Sequence, residues 1–333
     1  MKEEAKVAVI GGGSWATALA HIVLQNKSHI NWFIYEKEII EHLQEHKNNP
    51  QYLSSLEFNT QQITFYNNIQ EVIKDSDIIL MVVPSAYIKS TMGNEDIDFS
   101  GKLFISAVKG IIPVDNLTIT QYFGKRYNIP DDHLLVVSGP SHAEEVAMQR
   151  LTYLTVGCSN SENANAVADL IKCSFVKTII SSDVIGIEYV AVLKNIYALA
   201  TGIAHGMGYG DNFIAVLVSN AVREMKRFLN VAYKGTTKRK IHHSVYLGDL
   251  LVTAYSQFSR NRTFGTMIGK GYSVKSTMLE MNMVAEGYYA AACIKELNKE
   301  LKVNMPITEA VYNILYEKFS PSMEMRLLIE KLQ

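Results

Sequence analysis

A chain of 333 residues, 48% hydrophobic and 20% charged, is long enough for two globular domains with buried cores. A formal net charge of −1 gives no general pull toward nucleic acid or an anionic membrane surface, and no apolar run reaches the ~20 residues of a bilayer span. The acidic opening MKEEAKVAVIGGG argues against a secretory signal. Cys158, Cys173 and Cys293 are scattered, with neither a CxxC pair nor a neighbouring His, so no metal site is expected and the expected location is the reducing cytoplasm.

Up to residue 182, short apolar runs alternate with helical stretches. Val7–Ile10, Ile30–Ile34, Ile78–Val83, Leu103–Ala107, Leu134–Val137, Thr152–Val156 and Phe175–Ile180 are expected strands. Unbroken apolar runs of this length suit parallel strands covered on both faces. Ser14–Gln25 and Glu38–Glu45 are expected helices. The alternation predicts a Rossmann-like doubly wound α/β sheet over residues 1–182. After Ser181-Ser182-Asp183 the apolar periodicity lengthens. Residues 184–204, 212–230, 244–258, 277–298 and 306–319 read as helices, which predicts an all-α domain over 183–333. The basic run Lys234–Lys240 (KGTTKRK) reads as a solvated loop between two of them.

VAVIGGGSWA, residues 7–16, runs strand, G-x-G-x-x-A, helix. Gly11 makes the tight turn, Gly13 lets backbone approach a pyrophosphate, and Ala16 is small enough for helix–strand packing. The first amides of the helix then face the anion. No Gly-Lys-Ser/Thr follows, which excludes a Walker A loop. The second strand ends in Ile34-Tyr35-Glu36-Lys37. Glu36 can accept from a ribose 2′-hydroxyl, which favours NAD; Lys37 can meet a 2′-phosphate, which favours NADP. With no Arg at this strand end the reading leans to NAD and leaves NADP open.

Ligands of an open parallel sheet sit beyond the C-terminal strand ends. There stand Pro84-Ser85, Lys109-Gly110 and Ser138-Gly139-Pro140-Ser141. Lys109 puts a cation in the ligand region. Ser141-His-Ala-Glu144 has the form of a capping box, with Ser141 as N-cap and Glu144 at the third helical position.

In EYVAVLKNIYALATGIAHGMG, residues 188–208, Lys194 is the only charged side chain from Tyr189 to Ala204. Its helical neighbours are Val190, Ala191, Tyr197 and Ala198. A buried ammonium without a partner is costly, and such lysines are candidates for acid–base work; the alternative is a side chain that snorkels to water. Asn195, next to it, is placed to orient a substrate. The stretch from Thr201 to Asn212 is too glycine-rich for plain helix, so backbone should come close to another element there. Asp249 stands in the apolar run LGDLLVT and also needs a partner, for which Lys194 is the economical choice. Ser259-Arg260-Asn261 joins a hydroxyl, a guanidinium and an amide, a set suited to a phosphate, although Arg260 and Arg262 also read as a solvated surface pair.

GGGSWATALA (11–20), VVPS (82–85), AVKGI (107–111), SGPSHAEEVA (138–147), VAVLKNIYALATGI (190–203), GDLLVT (248–253), SRNRTFG (259–265), VAEGY (284–288) and MPITEAVYNILY (305–316) follow in this order. With them the chain resembles the NAD(P)-dependent glycerol-3-phosphate dehydrogenase family of the bacterial type. The resemblance implies reversible hydride transfer between NAD or NADP and C2 of dihydroxyacetone phosphate, supplying sn-glycerol 3-phosphate for phospholipid synthesis, in a homodimer. It implies that Ser14 and Trp15 line the cofactor phosphates, that Tyr35 lies near the adenosine, and that Ala143, Val284 and Glu286 border the cofactor. Lys109 and Arg260 would touch cofactor and substrate alike. Lys194 would donate and accept the proton. Gly139, Ser141, Asn195, Asp249, Thr253, Ser259 and Asn261 would complete the substrate site. Ala16 replaces a usual glycine, Tyr35 a frequent basic residue, and Ser219-Asn220-Ala221 a common Thr-Arg-Gly. The competing readings are another two-domain dehydrogenase, of the hydroxy-acid or opine type, and a non-catalytic dinucleotide sensor.

Overall fold

Val7–Ile10 has all four side chains buried and forms β1, inside an eight-stranded sheet. The computed structural model describes residues 5–333 apart from 95, 234–238 and 282–284. The other strands are β2 (Ile30–Phe33), β3 (Ile63–Tyr66), β4 (Ile78–Met81), β5 (Leu103–Ser106), β6 (Leu134–Ser138), β7 (Thr152–Gly157) and β8 (Val176–Ser181), in spatial order β3-β2-β1-β4-β5-β6-β7-β8. The chain winds outward through β2 and β3, then returns to place β4 on the other side of β1. That reversal is the switch point at which doubly wound sheets bind ligands.

Three expected strands end a residue or two early. Ile34, Val82 and Ala107 each make one more ladder bond, to Tyr66, Ile10 and Met81, before the chain leaves the sheet. The edge strand β3 is absent from the sequence expectation, because only Ile63 of its four residues is buried and polar residues flank it. The all-parallel expectation is corrected at β7, which runs antiparallel to β6, with Ser138 opposite Thr155. The helices of this part are α1 (Ser14–Val23), α2 (Lys37–His46), α3 (Ile69–Lys74), α4 (Ile88–Met92), α5 (Ile119–Tyr127), α6 (Ala143–Ala147) and α7 (Ser161–Ile171). The alanines of α1 lie buried with Leu19, Ile22 and Val23 in the same apolar core as β1 and Trp32.

The chain divides into two compact units, Met1–Val108 with Ile119–Val184, and Lys109–Thr118 with Ile185–Gln333. The second is helical: α8 (Val184–Gly206), α9 (Asp211–Ala232), one π-helical turn (Ser244–Gly248), α10 (Asp249–Tyr255), α11 (Arg260–Gly269), α12 (Val274–Glu280), α13 (Glu286–Leu301), α14 (Pro306–Leu315) and α15 (Pro321–Ile329). The single helix expected over 277–298 is two, since α12 ends at Glu280 and α13 begins at Glu286. Residues 234–238 of the basic run lie outside the described residues; Arg239 donates to the carbonyls of Leu229 and Tyr233 at the end of α9. Asn220, in the place of the family's common arginine, bonds both backbone groups of Gln333.

Helix α8 is buried on every side from Gly186 to Ala204. Its length and mean hydropathy of 1.4 would let it cross a bilayer, contrary to the sequence expectation, but 89% of its most apolar window is buried inside the protein, as in a core helix. The helix continues through Gly202 and ends at Gly206, inside the glycine-rich stretch. The glycines serve the close approach expected of them, and the neighbour is α11. A Cβ on Gly202 or Gly206 would collide with the carbonyl of Arg262 or Thr266; one on Gly265 or Gly269 would collide with that of Leu199 or Ile203. The two helices thus meet backbone against backbone, with no room for a methyl group between them. Helix α14 is held from below by Glu224 of α9, whose carboxylate accepts from the amides of Ile307 and Thr308 and the Thr308 hydroxyl. Burial pushes its pKa up to about 7.

Candidate active site

In the first unit the glycine loop joins β1 to α1. Gly11 has φ +132, a conformation that favours glycine, and its N–H bonds the Phe33 carbonyl. Its own carbonyl accepts from the Trp32 indole at 2.8 Å. Gly12 is required by packing, since a Cβ there would stand 2.9 Å from Ile34 Cγ2. Gly13 is different: a Cβ on it would meet no protein atom within 4 Å. Helix α1 starts there with no side-chain cap and no acidic residue in its first turn. An open face at Gly13 and a helix first turn free of acidic residues fit the pyrophosphate of a dinucleotide. Ser14 is buried at the first position of α1, and Trp15 follows it.

At the end of β2, Tyr35 is 72% exposed, and its carbonyl is held by the Asn67 side chain. Glu36 precedes α2, with Oε2 3.6 Å from where a Gly12 Cβ would be. A carboxylate therefore overhangs the glycine loop. At the end of β6, Gly139 has φ +144, and a Cβ on it would lie 2.6 Å from the Tyr153 carbonyl oxygen. The antiparallel crossing to β7 thus explains this glycine. The expected capping box does not form. Ser141 Oγ donates to the Gly139 carbonyl at 3.0 Å, so α6 begins only at the buried Ala143, with His142 as its N-cap.

In the second unit the two charges expected to pair do so. Lys194 Nζ on α8 lies 2.6 Å from Asp249 Oδ1 and 3.1 Å from Thr253 Oγ1. Lys194 is 3% exposed and Asp249 1%. Thr253, one turn beyond Asp249 on α10, donates its hydroxyl to the Asp249 carbonyl at 2.6 Å. Lys109 Nζ approaches the other carboxylate oxygen, Oδ2, at 3.8 Å, with its side chain 19% exposed. Burial pulls the Lys109 pKa down to about 7; the Asp249 carboxylate opposes this and the Lys194 charge adds to it. One carboxylate thus faces two lysines. Asn195 was expected to orient a substrate; its Nδ2 donates to the Lys109 carbonyl at 2.7 Å and so holds that lysine's backbone.

Ser259 caps α11, its Oγ accepting from Arg262 N at 3.3 Å. Arg260 opens the helix, and Asn261 Oδ1 accepts from Gly287 N at 2.9 Å near the start of α13. Gly287 is tied there from a second side, since a Cβ on it would be 2.6 Å from the Asn195 carbonyl oxygen. The cluster and the phosphate-suited segment are therefore linked through α13. Glu286 is the first residue of α13; Val284 lies outside the described residues. Among the described residues no group of three His, Cys, Asp or Glu side chains could hold a metal ion. Sequence reasoning missed Asn49, which is fully buried and bonded to the glycine loop; it stands among polar neighbours with no local signal.

A Rossmann-like sheet with an open glycine loop, in one chain with a buried lysine–carboxylate cluster, defines a nicotinamide-dependent dehydrogenase. Residues 6–164 match the N-terminal and residues 183–326 the C-terminal model of NAD-dependent glycerol-3-phosphate dehydrogenase. The chain is 35% identical over 316 residues to an NAD(P)+ glycerol-3-phosphate dehydrogenase of Bacillus pumilus, covering 94% of this chain and 90% of that one. It is 33% identical over 319 residues to one of Clostridium botulinum, covering 96% and 95%. A crystal structure of glycerol-3-phosphate dehydrogenase from Coxiella burnetii superposes with a TM-score of 0.91 at 27% identity, covering 98% of this chain and 99% of that one. The chain belongs to the NAD-dependent glycerol-3-phosphate dehydrogenase family, and its activity is that of an NAD(P)-dependent glycerol-3-phosphate dehydrogenase. The hydroxy-acid, opine and sensor readings fall away.

Proposed function

We propose that Lys194 is the group that gives and takes the proton when dihydroxyacetone phosphate and sn-glycerol 3-phosphate interconvert. The observation that carries this reading is the 2.6 Å contact between Lys194 Nζ and Asp249 Oδ1 in a buried setting. A nicotinamide cofactor held at the glycine loop by Gly11 and Gly13 would supply the hydride for C2 of the ketone, or take it back from the alcohol. As C2 is reduced, its oxygen gains negative charge. Lys194 stabilises that charge and passes its proton to the oxygen, and in the reverse direction it takes the proton back. Asp249 and Thr253 hold the ammonium in place. Lys109 adds a second positive charge on the far side of Asp249.

Arg260, with the Asn261 amide, grips the substrate phosphate, and Ser259 keeps this helix start in shape. Phosphate binding away from the reacting carbon positions C2 for the transfer. Gly139 and Ser141 border the substrate. Gly11, Gly13, Ser14, Trp15, Tyr35, Ala143, Val284 and Glu286 belong to the cofactor site. NAD is the preferred cofactor, because the Glu36 carboxylate beside the glycine loop accepts from a 2′-hydroxyl and repels a 2′-phosphate. The enzyme works in the cytoplasm, which suits its free thiols Cys158, Cys173 and Cys293, as a homodimer, and supplies glycerol 3-phosphate to phospholipid synthesis. The test mixes the protein with NADH or NADPH and dihydroxyacetone phosphate and follows the reduced cofactor's absorbance. Oxidation with the phosphorylated ketone, faster with NADH, and none with unphosphorylated dihydroxyacetone supports the reading. Equal rates with both ketones would reject the phosphate grip.

A further inference from the structure

Between α2 and β3 the chain crosses a polar loop, and one residue of it, Asn49, is fully buried. Its Nδ2 donates both hydrogens into the glycine loop region, to the Gly12 carbonyl at 2.9 Å and to Thr17 Oγ1 at 3.0 Å. Its Oδ1 accepts from the amides of Gln51 and Tyr52, at 3.0 and 3.1 Å. All four hydrogen-bonding positions of the carboxamide are filled, so its orientation is fixed. Thr17 passes the linkage on by donating Oγ1 to the Gly13 carbonyl at 3.0 Å.

The consequence follows from peptide planarity. In a trans peptide the N–H points opposite to the C=O. Drawing the Gly12 carbonyl to Asn49 turns the Gly13 N–H away from Asn49. The Gly13 carbonyl accepts from the Thr17 N–H at 2.9 Å as well as from its hydroxyl, and the Ser14 N–H of the same peptide points the opposite way. A Gly13 Cβ would meet no protein atom within 4 Å, so the loop leaves room for a ligand at this residue. We infer that Asn49 is a positioning residue for dinucleotide binding: through Gly12 and Thr17 it presets the two peptides whose N–H groups receive the pyrophosphate. The inference rests on the reading that NAD(P) sits on the glycine loop.

Asn49→Asp is the test, because its carboxylate still accepts from Gln51 and Tyr52 but has no hydrogen for Gly12. Binding of NADH alone is measured by fluorescence titration, with thermal unfolding and the KM for dihydroxyacetone phosphate alongside. The expected result is an NADH Kd raised about tenfold or more, the scale of a buried carbonyl losing its donor, with the KM for dihydroxyacetone phosphate within about twofold of wild type. Thr17→Val, nearly isosteric, provides an independent arm and should raise the NADH Kd about three- to tenfold. An unchanged NADH Kd in either folded variant overturns the inference. So does a general loss, in which NADH affinity, ketone KM and unfolding temperature all worsen together. Wild-type protein that binds no NADH would instead sink the cofactor reading beneath it.

Discussion

Lys194 and Asp249, 55 residues apart in sequence, meet at 2.6 Å inside the helical unit. Neither is tolerable alone. Lys194 is surrounded by Val190, Ala191, Tyr197 and Ala198 on its own helix, and Asp249 opens a helix whose residues Leu250 and Ala254 are buried. Removing Asp249 leaves the buried Lys194 ammonium uncompensated, a loss of about 3–5 kcal/mol in buried pairs, whereas removing Lys194 leaves Asp249 with Lys109 at 3.8 Å. The second lysine, Lys109, makes the pair a three-charge cluster.

Lys109 gives a pH signature with two opposed trends. Its pKa is lowered from 10.5 to about 7, so it is an ammonium below about pH 7 and an amine above. If its charge supports the reduction, kcat/KM for dihydroxyacetone phosphate falls as the pH rises through about 7. In Lys109→Arg, which stays charged, that limb disappears. Stability runs the other way. Between about 7 and 10.5 the unfolded chain holds a proton that the folded one lacks, so this residue makes stability rise with pH across that window. Lys109→Met should flatten that rise in thermal melts.

Arg260→Ala should raise the KM for dihydroxyacetone phosphate about ten- to a hundredfold, the value of a charged hydrogen bond of ~1.5–3 kcal/mol. Steady-state kinetics at saturating NADH give the number. An unchanged KM would remove Arg260 from the phosphate site.

Glu36→Gln should shift cofactor choice. Removing a carboxylate beside the glycine loop relieves ~1 kcal/mol of repulsion with a 2′-phosphate, so the NADPH/NADH ratio of kcat/KM rises roughly fivefold. A ratio that does not move would place the ribose away from Glu36.

Gly265→Ala tests the contact of α8 with α11. The added methyl would run into the Leu199 carbonyl, so the helices must separate or bend. Overpacking of this kind costs about 1–3 kcal/mol. A thermal unfolding midpoint lowered by several degrees is expected; an unchanged midpoint would mean that the helices are not held at backbone contact.

What could be read from the chain, and what could not, follows from the range of the interaction. Most strands were legible because buried strands are apolar runs, and the edge strand β8 because Phe175, Val176, Ile179 and Ile180 mark it; β3 was not, since Thr64 is exposed and Phe65 and Tyr66 are only partly covered at a sheet edge. The reversed direction of β7 comes from pairing, which leaves no local mark. Ser141 to Glu144 had the spacing of a capping box, yet α6 takes His142 as its N-cap, and the Ser141 hydroxyl donates back to the Gly139 carbonyl. The Lys194–Asp249 pair was legible because each charge interrupts an apolar run. Asn49 was hidden by its polar neighbours, and the lowered pKa of Lys109 by its position on a loop, where burial is a tertiary property.

Turnover of Lys194→Met tests the central claim most directly. With NADH and dihydroxyacetone phosphate both saturating, and NADH binding confirming a folded protein, kcat should drop by ~10²–10⁴, the share of a positioned proton donor. A variant that binds NADH normally and keeps near wild-type kcat would show that the proton comes from elsewhere.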